Sequence, residues 1–225
     1  YTSTDSIINT TLNCVKSIQD NGYKVILTSH ISIPKILQDQ GPAKLVVANN
    51  VFAHADQLAD VAKGIATILD QGGVFVFEVS YLLDIIDNFV FDTVYHEHLS
   101  YHSIDPLSRF FSKHGLHLFD IQKNLSKGGS FRGFVQKTGG PQKEKQIVRE
   151  MIAEETKRGL HRPKIFQDYE QRILACKDAI LEFLDKVRKQ GKSVAGYGAS
   201  TTVATLMYHY ELFDTNYSVP IKGSS

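Results

Sequence analysis

Hydrophobic positions along the first part of the chain alternate between helical spacing and short continuous runs, which predicts helices and strands in turn. Helical spacing predicts one helix over 5–20 and a clearer amphipathic helix over 56–70. The runs YKVILT, LVVANNVF and VFVFEVS predict strands, and PKILQDQ predicts a short helix between the first two. Near-continuous apolar strands are typical of parallel sheets covered on both faces, since parallel strands need long crossovers. The pattern therefore predicts a doubly wound α/β sheet.

The pattern changes after residue 104. DPLSRFFSKHG predicts a helix with Asp105 as N-cap and Gly115 as its stop, and LHLFDIQ and SFRGFVQK predict two strands that could pair antiparallel. The composition becomes charged after about residue 139, and Pro163 precedes a long amphipathic helix to about Gln190. SVAGYGASTTVATLMYHY then predicts a strand, a glycine turn and a helix, a second Rossmann-like beginning. We therefore predict two domains, 1–138 and 139–225, the second smaller and incomplete.

Composition and charge narrow the possible partners. The chain of 225 residues has 25 Lys and Arg against 24 Asp and Glu, so a net charge of +1 disfavours a nucleic-acid partner. No apolar run approaches the roughly 18 residues of a membrane span. Cys14 and Cys176 lack the spacing of a zinc site or a disulfide scaffold, which favours a reducing, cytoplasmic setting and a soluble protein. The oligomeric state is not predicted.

Polar residues that follow the apolar strands are the first candidates for chemistry, because ligands of open parallel sheets bind beyond the strands' carboxyl ends. Asn49, Asn50 and His54 follow LVVA, and FDTVYHEHLSYHS at 91–103 follows VFVFEVS after one further segment. Metal binding is one interpretation of HEH, but neighbours at i and i+2 diverge on a helix, and further ligands would be needed. Proton transfer is preferred, since an unperturbed histidine has a pKa of about 6.5. A structural, hydrogen-bonding role stays open.

Two glycine turns could be structural or could bind an anion. GYGAS at 196–200 has two glycines one residue apart and is short of the dinucleotide fingerprint. KGGS at 127–130 could be a plain hairpin loop or an anion-binding turn, with Arg132 nearby. Spacing alone does not separate these alternatives.

Five stretches together resemble the S-adenosylmethionine-dependent sugar C-methyltransferases: ANNVFAH, FEVSYL, FDTVYHEHLSYHS, SKGGSFRGFV and GYGAS, in this order. The likeness covers most of residues 40–210, and YHEHLSY is its most specific element. It implies a zinc-binding N-terminal domain, a class I methyltransferase domain and a Rossmann-like C-terminal domain. The implied reaction is methyl transfer to carbon beside the ketone of a nucleotide-linked deoxysugar, with S-adenosylmethionine as cofactor and the nucleotide-sugar as the small-molecule partner.

The resemblance also implies roles for single residues. His98 would be the general base, Tyr95 and Glu97 would support it, and His54 would help to bind or stabilise the enolate. Asn49 and Asn50 would lie near the cofactor. The residues nearest the nucleotide-sugar would be Lys127, Gly128, Gly129, Ser130, Arg132, Tyr197 and Gly198.

The sequence also departs from the family pattern. It has no Cys-rich zinc module and no glycine-rich cofactor loop before residue 40, so we expect it to begin inside the fold, and zinc is expected only in an absent N-terminal domain. Lys127 stands where many relatives have His. We therefore expect this polypeptide alone to bind S-adenosylmethionine poorly. The alternatives are an inactive fragment or nucleotide-sugar-binding module, and an NAD-dependent oxidoreductase that uses GYGAS for pyrophosphate.

Overall fold

The computed structural model of the protein describes residues 33–195 and 200–212, and the chain divides into two compact units, residues 1–41 and 42–225. In the first unit the helix predicted around PKILQDQ is confirmed as α1, Ile33–Gln40. Lys35 pairs there with Asp39 one turn later, at 2.9 Å. The predicted helix over 5–20 and the predicted strand YKVILT lie outside the described residues.

The second unit contains a four-stranded sheet with helices between and after its strands, which confirms a mixed α/β fold. Its described sheet has the order β1-β2-β4-β3. β1 runs parallel to β2, and β4 runs antiparallel to both β2 and β3. In chain order the elements are β1 Ala43–Asn49, α2 Leu58–Ile68, β2 Leu69–Ser80, α3 Leu82–Asp87, α4 Ile104–Lys113, β3 Leu116–Asn124, β4 Ser130–Lys137, α5 Gln146–Lys157, α6 Pro163–Lys189 and α7 Thr201–His209.

The hydrophobic core lies on one face of this sheet. Alternate residues of β2, namely Phe75, Phe77 and Val79, are buried together with Phe111 of α4, because successive strand side chains point to opposite faces. On β1 the same alternation leaves the other set of side chains exposed. Leu45 and Val47 are 59% and 54% exposed, so no described residue covers this face of β1.

The start of α4 differs from the prediction that Asp105 is its N-cap. Ser103 occupies the N-cap position and makes no side-chain capping bond, while Asp105 lies inside the helix and pairs with Arg109. The first backbone N–H groups of α4 donate instead to the carboxylate of Glu155, a residue of α5. Glu155, 50 positions after Asp105, therefore supplies the cap that was predicted for Asp105. The predicted stop at Gly115 is confirmed by its positive φ of 72°.

The C-terminal part of the second unit is helical where the structure describes it. The long helix predicted from Pro163 is confirmed as α6, and α7 confirms the predicted last helix. Residues 193–195 form no strand, although SVA was predicted to begin one. The domain boundary near 139 stays a prediction. No helix in the described ranges is long and apolar enough to cross a membrane.

Candidate active site

The histidine segment, which we define as residues 91–103, lies against the short turn that follows β1. Asn50 reverses the chain at the end of β1 with a left-handed φ of 52°, and its N–H donates to the Glu78 carbonyl of β2 at 2.8 Å. Three residues later the Ala53 carbonyl accepts hydrogen bonds from the N–H groups of Leu99 and Ser100, at 3.0 and 3.3 Å. The segment that follows α3 is thereby joined to the carboxyl end of β1.

His54 and His98 meet at this junction, with ring centroids 4.9 Å apart. The Nδ1 of His98 lies 2.8 Å from the Thr93 carbonyl, and the Nδ1 of His54 lies 2.7 Å from the Glu97 carbonyl. A carbonyl only accepts, so each Nδ1 must carry the proton and donate it. A neutral ring in this tautomer presents the lone pair of its Nε2, which is the nitrogen a general base needs.

Tyrosines surround His98 on two sides. The rings of Tyr95 and Tyr101 lie 4.5 and 6.3 Å from the His98 ring. The Tyr101 hydroxyl donates to the same Thr93 carbonyl that orients His98, at 3.1 Å. Burial, followed by the proximity of Tyr95, raises the pKa of Tyr101 and keeps it a donor. Tyr95 in turn donates a long, 3.4 Å hydrogen bond to Glu97, so the predicted supporting residues adjoin the predicted base.

The other histidines of the segment lie in different surroundings. His96 is exposed, and its ring contacts only that of Tyr95 among the ring contacts described. His102 is buried, with the tilted Phe52 ring 5.7 Å away between centroids and the Ser100 hydroxyl 3.1 Å from Nε2. Burial lowers the pKa of His102 to about 4, so this ring is neutral at physiological pH. His102 therefore belongs to the core.

A polar row crosses the sheet at the carboxyl end of β2. Glu78 pairs in register with Asn49 of β1 on one side and Arg132 of β4 on the other. The Arg132 guanidinium donates to Glu78 at 2.9 Å, and the Ser126 hydroxyl donates to the other carboxylate oxygen at 3.3 Å. Arg132 is thus already paired, although a guanidinium has further N–H donors to offer a ligand.

The turn that holds KGGS is packed closely against the chain that leads into the histidine segment. Gly128 and Gly129 have positive φ of 81° and 130°. A Cβ on Gly128 would stand 2.6 Å from a methyl group of Val90, and a Cβ on Gly129 would collide with Asp84. The Gly128 carbonyl accepts from the Asn88 amide at 2.7 Å. Both glycines therefore have a structural reason to be glycine, while the anion-binding role predicted for Lys127 to Ser130 stays a prediction.

Helix α7 also reaches the histidine segment. The Thr205 hydroxyl donates to the Val94 carbonyl at 2.8 Å, and the rings of His209 and Tyr210 lie 5.6 and 5.5 Å from Phe91. Tyr197 and Gly198, predicted to bind the nucleotide-sugar, lie outside the described residues. The GYGAS stretch they belong to precedes, in the sequence, a helix that contacts the candidate site.

Two contributors to the site were missed by sequence reasoning. Glu155 is 3% exposed and lies with Val148 and Met151 on the buried face of α5. A charged residue at the spacing of the buried apolar residues could have indicated a buried carboxylate. Arg172 of α6 donates to backbone carbonyls at the end of α3, and no local pattern indicates this. Across the described ranges, no group of three or more His, Cys, Asp or Glu side chains could hold a metal ion.

Comparisons with known proteins relate the sequence to the C-methyltransferases. Residues 125–219 match the family described as the C-methyltransferase C-terminal domain. The chain is 34% identical over 173 residues to the C-methyltransferase NovU of Streptomyces niveus, which is 77% of this chain and 41% of that protein. The chain thus spans about two fifths of that curated relative's length.

Solved structures overlap with the chain only in part. An O-methyltransferase family protein from Burkholderia thailandensis has a TM-score of 0.40 at 12% identity, over 59% of this chain and 41% of that one. Magnesium protoporphyrin IX methyltransferase from Synechocystis, with bound SAH, has a TM-score of 0.35 at 10% identity, over 45% and 48%. The likeness to the C-methyltransferases rests on the sequence comparisons and not on these overlaps.

Proposed function

Since the chain belongs, over the residues that match, to the C-methyltransferase family, we propose that it acts in S-adenosylmethionine-dependent methyl transfer to carbon. The proposed acceptor is the carbon beside the ketone of a nucleotide-linked deoxysugar, and His98 is the proposed general base. The observation that carries this proposal is the pair of adjacent rings of His54 and His98, each with Nδ1 held by a backbone carbonyl, so that Nε2 is the nitrogen left for chemistry.

Proton abstraction beside a ketone needs a base and a group that stabilises the developing enolate oxygen. His98 would take the proton on Nε2, while the Thr93 carbonyl keeps Nδ1 in place. His54 would donate to the enolate only with a proton on Nε2 as well, and so as an imidazolium. Two adjacent rings can serve these opposite roles when one is neutral and the other charged. Tyr95 and Glu97 would support the pair from the same segment.

S-adenosylmethionine would supply a methyl group on a positively charged sulfur. The proposed cofactor residues fit this use, because Asn49 and Asn50 end β1 and the turn that follows them carries His54. A ligand at this strand end would therefore adjoin the histidine pair. The nucleotide-sugar would contact Lys127 to Ser130 and Arg132, and also Tyr197 and Gly198 of the GYGAS stretch. For Arg132 this requires donors beyond the one given to Glu78.

The test is deuterium exchange at the substrate carbon beside the ketone, measured in deuterated water without a methyl donor. Exchange needs only the base and the bound ketosugar, so it is independent of S-adenosylmethionine binding. We expect His98→Gln to slow exchange by about 10²- to 10⁴-fold, the usual contribution of a general base. His96→Gln is the matched control, because it makes the same change two positions away on an exposed ring. Equal exchange in the two variants would remove His98 as the base.

A further inference from the structure

Arg172 of α6 binds the end of helix α3, directly before the histidine segment. Its Nη1 donates to the Ile86 carbonyl at 2.8 Å, and its Nη2 lies 3.5 Å from the Asp87 carbonyl. These carbonyls belong to the last turn of α3, whose acceptors have no partner within the helix. A positive charge here also interacts favourably with the helix dipole. Arg172 therefore fixes the point from which the chain departs for residues 91–103.

The residue two positions after α3 ends is held in an unusual conformation. Phe89 has a φ of 58°, a left-handed backbone that side-chain-bearing residues seldom adopt. The Arg172 guanidinium lies 5.1 Å from the Phe89 ring centroid, and Tyr169 of α6 meets the same ring edge-on at 6.0 Å. Such a conformation persists only where its surroundings hold it. Two ring contacts from α6 hold Phe89, together with the Phe91 ring and the hydrogen bond from the Val90 N–H to the Ile85 carbonyl at 3.0 Å.

A short series of contacts leads from this point to His98. The Phe89 ring lies 6.0 Å from the Phe91 ring, and the next carbonyl, that of Val90, accepts from the Thr93 hydroxyl at 2.9 Å. The Thr93 carbonyl is the acceptor that keeps the proton on Nδ1 of His98. The position of one carbonyl, five residues before His98, thus decides which ring nitrogen is unprotonated.

We propose that Arg172 is a positioning residue for His98: by holding the end of α3 and the left-handed Phe89, it places the Thr93 carbonyl that selects the Nδ1–H tautomer. The tautomer is a structural property, so the inference depends on the proposed function only for its catalytic consequence. Arg172 acts through the backbone and touches neither His98 nor a substrate.

The experiment is nitrogen-15 NMR of the histidine rings in the protein chain, above about pH 8 where an unperturbed imidazole is neutral. Ring nitrogen shifts distinguish a protonated from an unprotonated nitrogen, and His98→Gln assigns the signals of His98. In the parent protein we expect Nδ1 of His98 to carry the proton. In Arg172→Met we expect the Nε2–H tautomer, which unconstrained imidazole favours, to become the major form. In Arg172→Lys, which keeps the charge but loses the planar guanidinium, the fraction of the Nε2–H tautomer should lie between the values for the parent protein and Arg172→Met.

Arg158→Met is the matched control. Arg158 also binds the end of α3, but through an ion pair with the Asp87 side chain, and it donates to no carbonyl of that helix in the contacts described. We expect its His98 signals to match those of the parent protein. A folded Arg172→Met that keeps the Nδ1–H tautomer would overturn the proposal. Failure of Arg172→Met to fold would overturn it too, because Arg172 would then be a general stability residue. A tautomer change without loss of exchange activity would leave this proposal intact and remove the catalytic role of His98.

Discussion

His98 and His102 belong to the same segment, four positions apart, yet their rings have opposite surroundings. In the middle of the segment, His98 is half-buried, and a backbone carbonyl occupies Nδ1 and leaves the Nε2 lone pair for chemistry. At the end of the segment, His102 is buried against Phe52, and the Ser100 hydroxyl contacts its Nε2. A shared residue type and a short spacing therefore do not predict a shared role. What separates the two rings is burial and the identity of the nitrogen that is satisfied.

The anchors of the two ends of the segment differ as well. The entry is held by Arg172 and the ring of Phe89, both near the surface. The exit is held in the core, where the Leu82 N–H donates to the His102 carbonyl at 2.9 Å and Glu155 caps α4. We therefore expect changes at the exit to affect the stability of the fold, and changes at the entry to affect the geometry of the candidate base.

The largest stability effect is expected at Glu155. Glu155→Ala leaves the N–H groups of Ile104 and Asp105 without their acceptor, and we expect a loss of about 3 kcal/mol in the free energy of unfolding. Glu155→Gln keeps one acceptor oxygen and should lose roughly half as much. Urea unfolding at pH 7 measures both. The control is Glu154→Ala on the same helix, where an exposed carboxylate lies 3.8 Å from Lys157 and should contribute less than about 1 kcal/mol. A Glu155→Ala protein as stable as this control would show that the exit is not anchored there.

The second effect is a loss of stability on acidification that depends on His102. Its folded-state pKa of about 4 lies below the unfolded value of 6.5, so the unfolded state binds the proton first as the pH falls. Stability is therefore full above about pH 6.5 and declines toward pH 4, and between pH 7 and pH 5 the loss is about 2 kcal/mol. Urea unfolding at the two pH values measures it.

A variant isolates this contribution from other titrating groups. Glu155 changes stability in the opposite direction. Burial raises its pKa in the folded state, so the folded state binds its proton first and gains stability as the pH falls. We expect His102→Asn to lack the His102 contribution, and His96→Gln to retain it in full. The same pH dependence in His102→Asn as in the parent protein would contradict the assignment of this loss to His102.

The smallest stability effect is expected at His98 itself. His98→Gln removes one hydrogen bond from a half-buried ring, and we expect a cost of less than about 1 kcal/mol. The same change is expected to abolish most of the deuterium exchange. Thermal unfolding of the variants used for the exchange measurement tests this. A melting temperature far below that of His96→Gln would place His98 with His102 as a structural residue and would remove the contrast between the two rings.

The elements with strong local patterns were predictable from the sequence. The core of β2, the hairpin of β3 and β4, and the 27 residues of α6 follow from apolar runs, alternation and a proline at the helix start. The ends of elements were less predictable. β2 begins at Leu69, within the last residues of the predicted helix, because Leu69 is buried in the sheet and pairs with Ala43. Tertiary pairing outweighed helical spacing there.

The candidate site divides in a similar way. The residue types around His98 were predictable because the polar residues are concentrated in one stretch after an apolar strand. Their hydrogen bonds were not, since the acceptors are carbonyls of Thr93 and Glu97, and every residue has a carbonyl. The N-cap of α4 was predicted wrongly for a related reason. Asp105 has a side chain suited to an N-cap but lies inside the helix, and the buried Glu155 of α5 accepts from the first N–H groups instead.

The main-chain acceptors of the histidine pair have a consequence for how this site tolerates mutation. Where a carboxylate side chain orients a catalytic imidazole, a single codon change removes the orienting group. Here the orienting atoms belong to the main chain, so a substitution at position 93 or 97 leaves a carbonyl acceptor for each Nδ1, even where it removes the Thr93 hydroxyl or the Glu97 carboxylate. Proline at 93 is the expected exception, because it fixes the backbone dihedral angle φ and so would shift the carbonyl. Side-chain changes at these positions should therefore weaken the support of the two rings without removing the acceptors that orient them.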